Sequence, residues 1–494
     1  MTEPPPRASS DGAEPSALAL RWAQVLPVLP LLVALAAAVV AAWPALRSPF
    51  YADDYVYLAA ARNLSFADYA RAALTPWSDE PLLSPATQNF WRPLSYLAFG
   101  LLESLFGSRT TAYHLLVLGI HFSSVVLVWL LTKQLAGRWE AAGIAAVLFA
   151  AHPAAFEGVA WISSLSNAGL PLMLGAWLVF ARATVREHVR WRGVVLSAVL
   201  LALALGFRES TAAVVPAIVF WRCAWWRRGR LGEWSTFAPF VPFAVVFAVY
   251  GLLLTRFLAQ APVNSETWEL GRHAPGHFWY FVKVVALPVG EGSTGFAHWA
   301  QVVAGTAVVV LLPALLFLRR WLMASMVFAV LVAAVPDAPL TLPVAQREVY
   351  FPAAFFAIGF AVILRELLDH AEIYVHPRLL WGGVAAVAAL AVLLGTLAGY
   401  QRTRDWVESG PEAQQAWIDE LRAAYPALPE GGTLYYANTP TVLAPFEGAL
   451  LGSSVAFVYP GMSAKRFETA DLAAVQASLG PDDRIFVPGA APGR

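Results

Sequence analysis

Two adjacent carboxylates, Asp53 and Asp54, lie in the segment SPFYADDYVYL, shortly after the first strongly hydrophobic stretch of the chain. A carboxylate can remove a proton from an acceptor hydroxyl, and neighbouring carboxylates can also hold a divalent metal ion. A solvated loop with two aspartates would look the same in isolation. The rest of the sequence therefore has to decide between a surface loop and a catalytic or metal-binding site.

Further ionisable residues stand near the ends of later hydrophobic stretches, in the segments FWRPL, HPAAFEG, GFREST and QREVYFP. An arginine can grip a phosphate because its guanidinium donates two parallel hydrogen bonds. An interfacial anchor explains Arg92 equally well, and a polar helix cap explains His152 and Glu157 equally well. For His114 and His121, packed histidines are favoured over a metal site. Besides Asp53 and Asp54, the candidate site residues are Tyr55, Arg92, His152, Glu157, Arg208, Glu209, Arg347 and Tyr350.

The composition places the chain among integral membrane proteins. Of its 494 residues, 59% are hydrophobic and only 13% are charged, whereas a soluble domain carries roughly 25% charged residues. The formal net charge is zero, which gives no support for nucleic-acid binding. A single cysteine, Cys223, excludes an internal disulfide and a cysteine-based metal cluster.

The apolar segments predict an all-α polytopic membrane domain with about eleven transmembrane helices, since a helix needs roughly 20 apolar residues to cross a bilayer. Residues 1–20 are polar and proline-rich, which predicts a disordered cytoplasmic N-terminus. Trp22–Trp43 exceeds the apolar core of a signal peptide, roughly 7–15 residues, which favours an uncleaved anchor. The predicted spans are 22–43, 111–132, 140–154, 165–181, 193–207, 211–226, 236–257, 299–318, 321–336, 349–365 and 379–398.

The basic residues predict the orientation, because short cytoplasmic loops carry an excess of Lys and Arg. Such clusters fall on alternate loops, for example Arg190 with Arg192 and Arg319 with Arg320. With a cytoplasmic N-terminus, the candidate site residues all lie on the outer side. Burying an ionisable group at membrane depth costs free energy, so such residues more often belong to a functional site than to a surface without function. A functional cluster on the extracytoplasmic side is therefore favoured over simple surface charge.

The last part of the chain has a different character and predicts a small α/β domain over residues 400–494. Residues 401–428 have helical spacing, residues 433–438, 455–459 and 484–487 are typical of short strands, and residues 471–479 predict a helix. The segment contains none of the glycine patterns that bind nucleotide phosphates. An odd number of spans would place it outside the membrane on the extracytoplasmic side.

The order of these motifs resembles that of the polytopic GT-C glycosyltransferases. The motifs are DDYVYL, WRPLSYL, YHLLVLGIH, HPAAFEGVAWISS, FRESTAAVVP and QREVYFP, over roughly residues 25–400. The sequence is most similar to the O-mannosyltransferase-like branch, whose members often end in TPR repeats that are absent here. The resemblance implies a GT-C-like membrane domain over residues 21–399, with a catalytic first outer loop at 44–110.

The resemblance also implies a reaction and roles for the residues. The donor would be a polyprenyl-phosphate sugar and the acceptor a protein, lipid or glycan hydroxyl on the outer face of the inner (plasma) membrane. Related protein O-mannosyltransferases carry Asp-Glu in the first loop. Here Asp53 would be the base, and Asp54 would help to orient the acceptor or stabilise the sugar. Arg92, Arg208 and Arg347 would hold the donor phosphate. The remaining candidates would line the substrate: Tyr55, His152, Glu157, Glu209 and Tyr350.

No cofactor is required by this reaction, although Asp53 and Asp54 could hold a divalent metal ion. Three other functions remain open from the residues alone: a lipid-linked glycan flippase or transporter, a glycan ligase or polymerase, and a non-catalytic scaffold. A transporter would often carry two related halves and acids at mid-membrane depth. No such repeat is evident, and the acids stand at span ends.

Overall fold

A computed structural model describes residues 27–75, 90–185, 188–226, 230–260, 271–289, 294–340, 346–437 and 447–488. The predicted disordered segment 1–20 lies outside these residues, as does the part of the predicted first loop between 76 and 89.

The first half of the described chain is helical. A 3₁₀ turn, Trp43–Arg47, follows the first helix, and short 3₁₀ segments at Pro153–Ala155, Ile162–Ala168 and Glu209–Ala213 interrupt the later ones. The helices are α1 Leu29–Ala42, α2 Asp53–Asn63, α3 Phe66–Leu74, α4 Pro93–Phe106, α5 Thr110–Ala136, α6 Trp139–Ala150, α7 Glu157–Ala160, α8 Gly169–Thr184, α9 Trp191–Phe207 and α10 Val214–Phe220.

The second half continues the bundle and then changes to a mixed α/β unit. A π-helical segment, Trp221–Trp226, follows α10, and a 3₁₀ segment, Gln346–Val349, precedes α16. The elements are α11 Trp234–Phe237, α12 Val241–Gln260, α13 Ala274–Ala286, α14 Gly295–Phe317, α15 Trp321–Ala333, α16 Tyr350–Ala371, α17 Pro377–Ser409, α18 Pro411–Ala424, β1 Thr433–Tyr436, α19 Glu447–Val458, β2 Ser463–Arg466, α20 Leu472–Ala477 and β3 Arg484–Phe486.

The chain is a multi-pass membrane protein. Among its described residues, seven helical segments are long and apolar enough to cross a bilayer, or eight if the pair 139–150 and 153–160, bent by 52°, forms one span. The described residues of all eleven predicted spans are mostly helical, but α9 and α15 are short and 211–226 is divided into 3₁₀, α and π segments. The predicted number of eleven transmembrane helices is therefore not confirmed.

Loops from distant parts of the sequence meet at one end of the bundle. Hydrogen bonds and ion pairs connect the segments near residues 48–54, 152–168, 207–213 and 346–349. Side-chain contacts join them directly: Ser163 to Asp54 and Arg208 to Glu348. This end holds most of the candidate site residues.

The C-terminal unit has a three-stranded parallel sheet in the order β2-β1-β3. The predicted strands 433–438 and 484–487 are confirmed over 433–436 and 484–486. The predicted strand 455–459 is wrong, because Val455–Val458 forms the last turn of helix α19, and the middle strand in sequence is the polar segment Ser463–Arg466. A short apolar run buried on all sides has no periodicity that separates strand from helix.

This unit packs on the first helix after the membrane rather than standing apart. Phe50, Tyr55 and Leu58 share one hydrophobic cluster with Val455 and Phe457 of α19. The predicted boundary at residue 400 stays a prediction, and α17 continues past it to Ser409.

Candidate active site

The turn before α2 gives Asp53 and Asp54 different surroundings. Asp54 is 1% exposed and its two carboxylate oxygens accept hydrogen bonds, from the Tyr51 amide at 2.9 Å and from the Ser163 hydroxyl at 2.6 Å. Burial raises the pKa of Asp54 to about 7, although these two hydrogen bonds oppose the shift. Asp54 therefore fastens the turn to the segment 162–168.

Asp53 is partly exposed, and it is close enough to Arg347 and Arg92 for their charges to act on it. No hydrogen bond to its carboxylate comes from the described residues. Partial burial raises its pKa above the usual value, while the nearby charges of Arg347 and Arg92 act in the opposite direction. The carboxylate of Asp53 is thus available to a substrate, and two cations stabilise its ionised form.

Arg347 lies next to Asp53 and is the most exposed of the three candidate arginines, with 31% of its side chain accessible. Its Nε donates to Glu348 at 3.0 Å, and its backbone amide donates to Glu157 at 3.3 Å. The guanidinium lies 4.8 Å from the centre of the Trp161 ring, within the range of a cation–π contact. Arg347 therefore retains donors that can face an anionic ligand.

Arg208 is deeply buried and holds several elements together. It pairs with Glu348, donates to Asn167 at 3.2 Å, and lies 3.7 Å from Asp337. Burial raises the pKa of Asp337 to about 7, although Arg208 opposes the shift. Because acids already surround the guanidinium, Arg208 fixes Glu348 and, through it, the position of Arg347.

Arg92 and Glu209 form a third ion pair at this end of the bundle. Arg92 Nε donates to one carboxylate oxygen of Glu209 at 2.9 Å, and a second nitrogen contacts the other oxygen. Burial raises the pKa of Glu209, but the Arg92 guanidinium has the larger combined effect and holds this pKa below its usual value. The pair links the start of α4 to the 3₁₀ segment after α9.

The structure therefore brings Asp53, the three arginines and three of their acidic partners together, but it places other candidates elsewhere. Tyr55 is buried between Phe50 and Phe457. Tyr350 is fully buried and its hydroxyl contacts His121 at 2.9 Å. His152 contacts the Val285 carbonyl at 3.3 Å.

Four residues of the site were not found from the sequence: Trp161, Ser163, Asn167 and Asp337. The run SSLSN at 163–167 was a signal, because it places four polar residues around the start of a predicted span. Asp337 likewise interrupts the apolar segment VPDAPL. Neither pattern identifies its partner, since the contacts join residues far apart in the chain.

The described residues contain no group of three or more His, Cys, Asp or Glu arranged to hold a metal ion. Both oxygens of Asp54 already accept hydrogen bonds, which leaves Asp53 as the free carboxylate of the pair. The arrangement thus offers one available carboxylate beside one accessible guanidinium. Together they could accept a proton and stabilise an anionic leaving group.

No protein-family profile matches this chain, but one sequence relative and one solved structure resemble it. Over 133 residues it is 31% identical to the Protein O-mannosyl-transferase Tmtc1 of Drosophila melanogaster, a stretch that is 27% of this chain and 15% of that protein. The chain thus matches a small part of the length of that relative.

Among solved structures, the chain is similar to ArnT from Cupriavidus metallidurans, which was determined bound to undecaprenyl phosphate. The TM-score is 0.50 at 12% sequence identity, and the match covers 94% of this chain and 96% of ArnT. At this identity the likeness concerns the fold. The chain therefore has an ArnT-like fold.

Proposed function

We propose that this protein is a membrane glycosyltransferase that moves a sugar from a polyprenyl-phosphate donor to an acceptor hydroxyl. The observation that carries the proposal is the partly exposed Asp53 within reach of the charges of Arg347 and Arg92, in an ArnT-like fold. The short similarity to an O-mannosyl-transferase and the binding of undecaprenyl phosphate by ArnT agree with this reaction and donor.

Asp53 acts as the base in this reaction. Its carboxylate takes the proton of the acceptor hydroxyl, and the oxygen attacks C1 of the sugar. The bond from C1 to the phosphate oxygen breaks, and the polyprenyl phosphate leaves with the bonding electrons. One displacement inverts the configuration at C1. A phosphate is a good leaving group, so a cation that stabilises its charge suffices in place of a strong acid.

Arg347 is the arginine best placed to bind the departing phosphate. It is the most exposed of the three, and it lies close enough to Asp53 to lower the pKa of that carboxyl. Arg92 and Arg208 can bind phosphate only by exchanging their contacts with Glu209 and Glu348. Their role in this proposal is to fix the acids around Arg347.

The site lies on the extracytoplasmic face of the inner (plasma) membrane in this proposal. Exposed basic residues such as Arg190, Arg192 and Arg320 cluster at the opposite end of the bundle, as expected for the cytoplasmic side. The acceptor is a protein, lipid or glycan hydroxyl.

Replacement of Asp53 by Asn tests the proposed base. Asp53→Asn removes the proton acceptor while keeping the size of the side chain, so we expect sugar transfer to fall by about 100-fold or more, the scale of lost general-base catalysis. Transfer of radiolabelled sugar from a polyprenyl-phosphate donor is measured in proteoliposomes. Wild-type turnover in this variant would contradict the role of Asp53.

Two matched variants complete the experiment. Asp68→Asn removes an exposed carboxylate on α3 that pairs with Arg71, and it should leave transfer unchanged. Asp54→Asn keeps an acceptor for the Tyr51 amide and a partner for Ser163, so it should lose less activity than Asp53→Asn. Movement of the lipid-linked sugar across the bilayer without bond cleavage would support a flippase instead.

A further inference from the structure

The backbone immediately before Asp53 has an unusual conformation. Ala52 has φ +48° and ψ −113°, a region that residues with a side chain rarely adopt and that glycine adopts readily. Because Asp53 is the next residue, the conformation of Ala52 sets the direction in which its carboxylate points. Other contacts must therefore hold this turn in place.

One of these contacts comes from the far end of the chain. The side chain of Gln414, on α18, accepts a hydrogen bond from the Ala52 amide through Oε1 at 2.8 Å. Its Nε2 donates to the hydroxyl of Ser454, on α19, at 2.7 Å. Gln414 is 0% exposed, and its side-chain amide joins the turn to two helices of the C-terminal unit.

The neighbouring residue Tyr51 is held by the same part of the chain. Its ring lies 5.3 Å from that of Trp406, on α17, in an edge-to-face arrangement. Gly410, between α17 and α18, leaves room for this ring, because a Cβ there would lie 3.1 Å from Tyr51 Cζ. The Tyr51 carbonyl accepts from the Trp161 indole at 3.2 Å. The turn is thus held between the membrane bundle and the C-terminal helices.

We infer that Gln414 is a positioning residue for Asp53, and that the C-terminal unit completes the active site by holding Ala52 in its strained conformation. The inference rests on the proposed function in so far as Asp53 is the base. A buried amide that both donates and accepts fits this position, because its loss would leave the Ala52 amide without an acceptor in a water-poor environment. The turn could then relax and carry the Asp53 carboxylate away from Arg347.

The variant Gln414→Leu tests this role. It keeps the approximate volume of the side chain and removes both hydrogen bonds. We expect kcat for sugar transfer to fall about 10- to 100-fold with little change in KM for the donor, since small displacements of a reacting group have effects of this size. Gln415→Leu changes the adjacent residue, whose amide contacts Asp419 on the surface, and should transfer sugar at the wild-type rate.

A second substitution tests whether Gln414 positions Asp53 or only attaches the C-terminal unit to the membrane bundle. Glycine adopts positive φ without strain. In the Gln414→Leu background, Ala52→Gly should therefore raise kcat at least about tenfold above that of Gln414→Leu alone. Gln414→Glu keeps an acceptor for Ala52 and one for the Ser454 hydroxyl, and should retain most of the turnover. A wild-type kcat in Gln414→Leu, or a loss that Ala52→Gly does not recover, would overturn the inference.

Hydrogen exchange provides a measurement that does not depend on activity. The Ala52 amide should exchange at least tenfold faster in Gln414→Leu than in the wild type, while Gln415→Leu should leave its rate unchanged. Unchanged exchange in both variants would refute the hold on the turn even if the protein transferred no sugar. If Gln414→Leu speeds exchange of the Ala52 amide but the wild-type protein transfers no sugar, the positioning of the turn by Gln414 would be supported and the proposed reaction refuted.

Discussion

Asp53 and Asp54 are identical residues whose surroundings give them different tasks. Asp54 is buried and saturated by Tyr51 and Ser163, so it stabilises the turn. Asp53 is partly exposed and close to Arg347 and Arg92. The proposed base and the residue that stabilises its turn are thus neighbours in the sequence, and the contacts of each side chain distinguish them.

The pH dependence of transfer should report the state of Asp53. The proposed base must be ionised to accept a proton. Burial raises the pKa of Asp53 above its usual value of 3.8, so kcat/KM should fall as the pH drops through a value above 3.8. Arg347→Gln removes a cation that lowers this pKa, and the acidic limb of the profile should therefore move to higher pH.

The control for this experiment is Arg71→Gln, which removes an exposed arginine paired only with Asp68 among the described residues. Its pH profile should match that of the wild type. An acidic limb that stays in place in Arg347→Gln would contradict the electrostatic link between Arg347 and Asp53.

At the scale of elements, the broken helices between Pro153 and Ala168 organise the site. Proline limits the helix before them, and the short segments that follow present Glu157, Trp161 and Ser163 to the turn at Asp54 and to Arg347. A continuous span could not supply side chains to so many partners at one end. The proline in the sequence predicted this interruption, whereas the contacts it permits were not predictable.

Gly158 tests the packing of this segment. A Cβ there would lie 2.8 Å from the Tyr350 ring and 2.9 Å from the amide nitrogen of Asn167, which binds Arg208 through its oxygen. We expect Gly158→Ala to lower the free energy of unfolding by about 1–3 kcal/mol, the usual cost of overpacking. Thermal unfolding in detergent measures this change.

Gly119→Ala is the matched control, because a Cβ on that helical glycine would meet nothing within 4 Å. Its unfolding temperature should stay close to that of the wild type. If Gly158→Ala and Gly119→Ala are equally stable, the segment 153–168 can shift to make room for a Cβ without a loss of stability.

At the scale of the whole molecule, the distribution of charge predicts which end faces the cytoplasm. The site end carries most of the buried acids and their arginine partners, while exposed basic residues such as Arg190 and Arg192 stand at the other end. The proposed reaction requires the site end to face outward.

Cysteine labelling in intact cells tests this orientation. In a Cys223→Ser background, Asp68→Cys at the site end should react with a membrane-impermeant maleimide, because Asp68 is exposed outside the bundle. Arg192→Cys, exposed at the opposite end, should react only after permeabilisation. The reverse pattern would place the site on the cytoplasmic side.

The sequence alone determined the membrane class and most of the helical segments, because hydrophobicity and proline breaks are local properties of the chain. It did not determine the number of spans, and the roles of the three arginines stay predictions. It did not distinguish Asp53 from Asp54, and it misassigned residues 455–459, of which Val455–Val458 form the last turn of a helix that is mostly buried there.

Only the tertiary structure decided how the site is held. Asp54 meets Ser163, Arg208 meets Glu348, and Ala52 meets Gln414. Each contact joins residues that are more than one hundred positions apart in the chain. Such pairs leave no periodic signal in a single sequence, because they depend on which helix ends the packing of the bundle brings together.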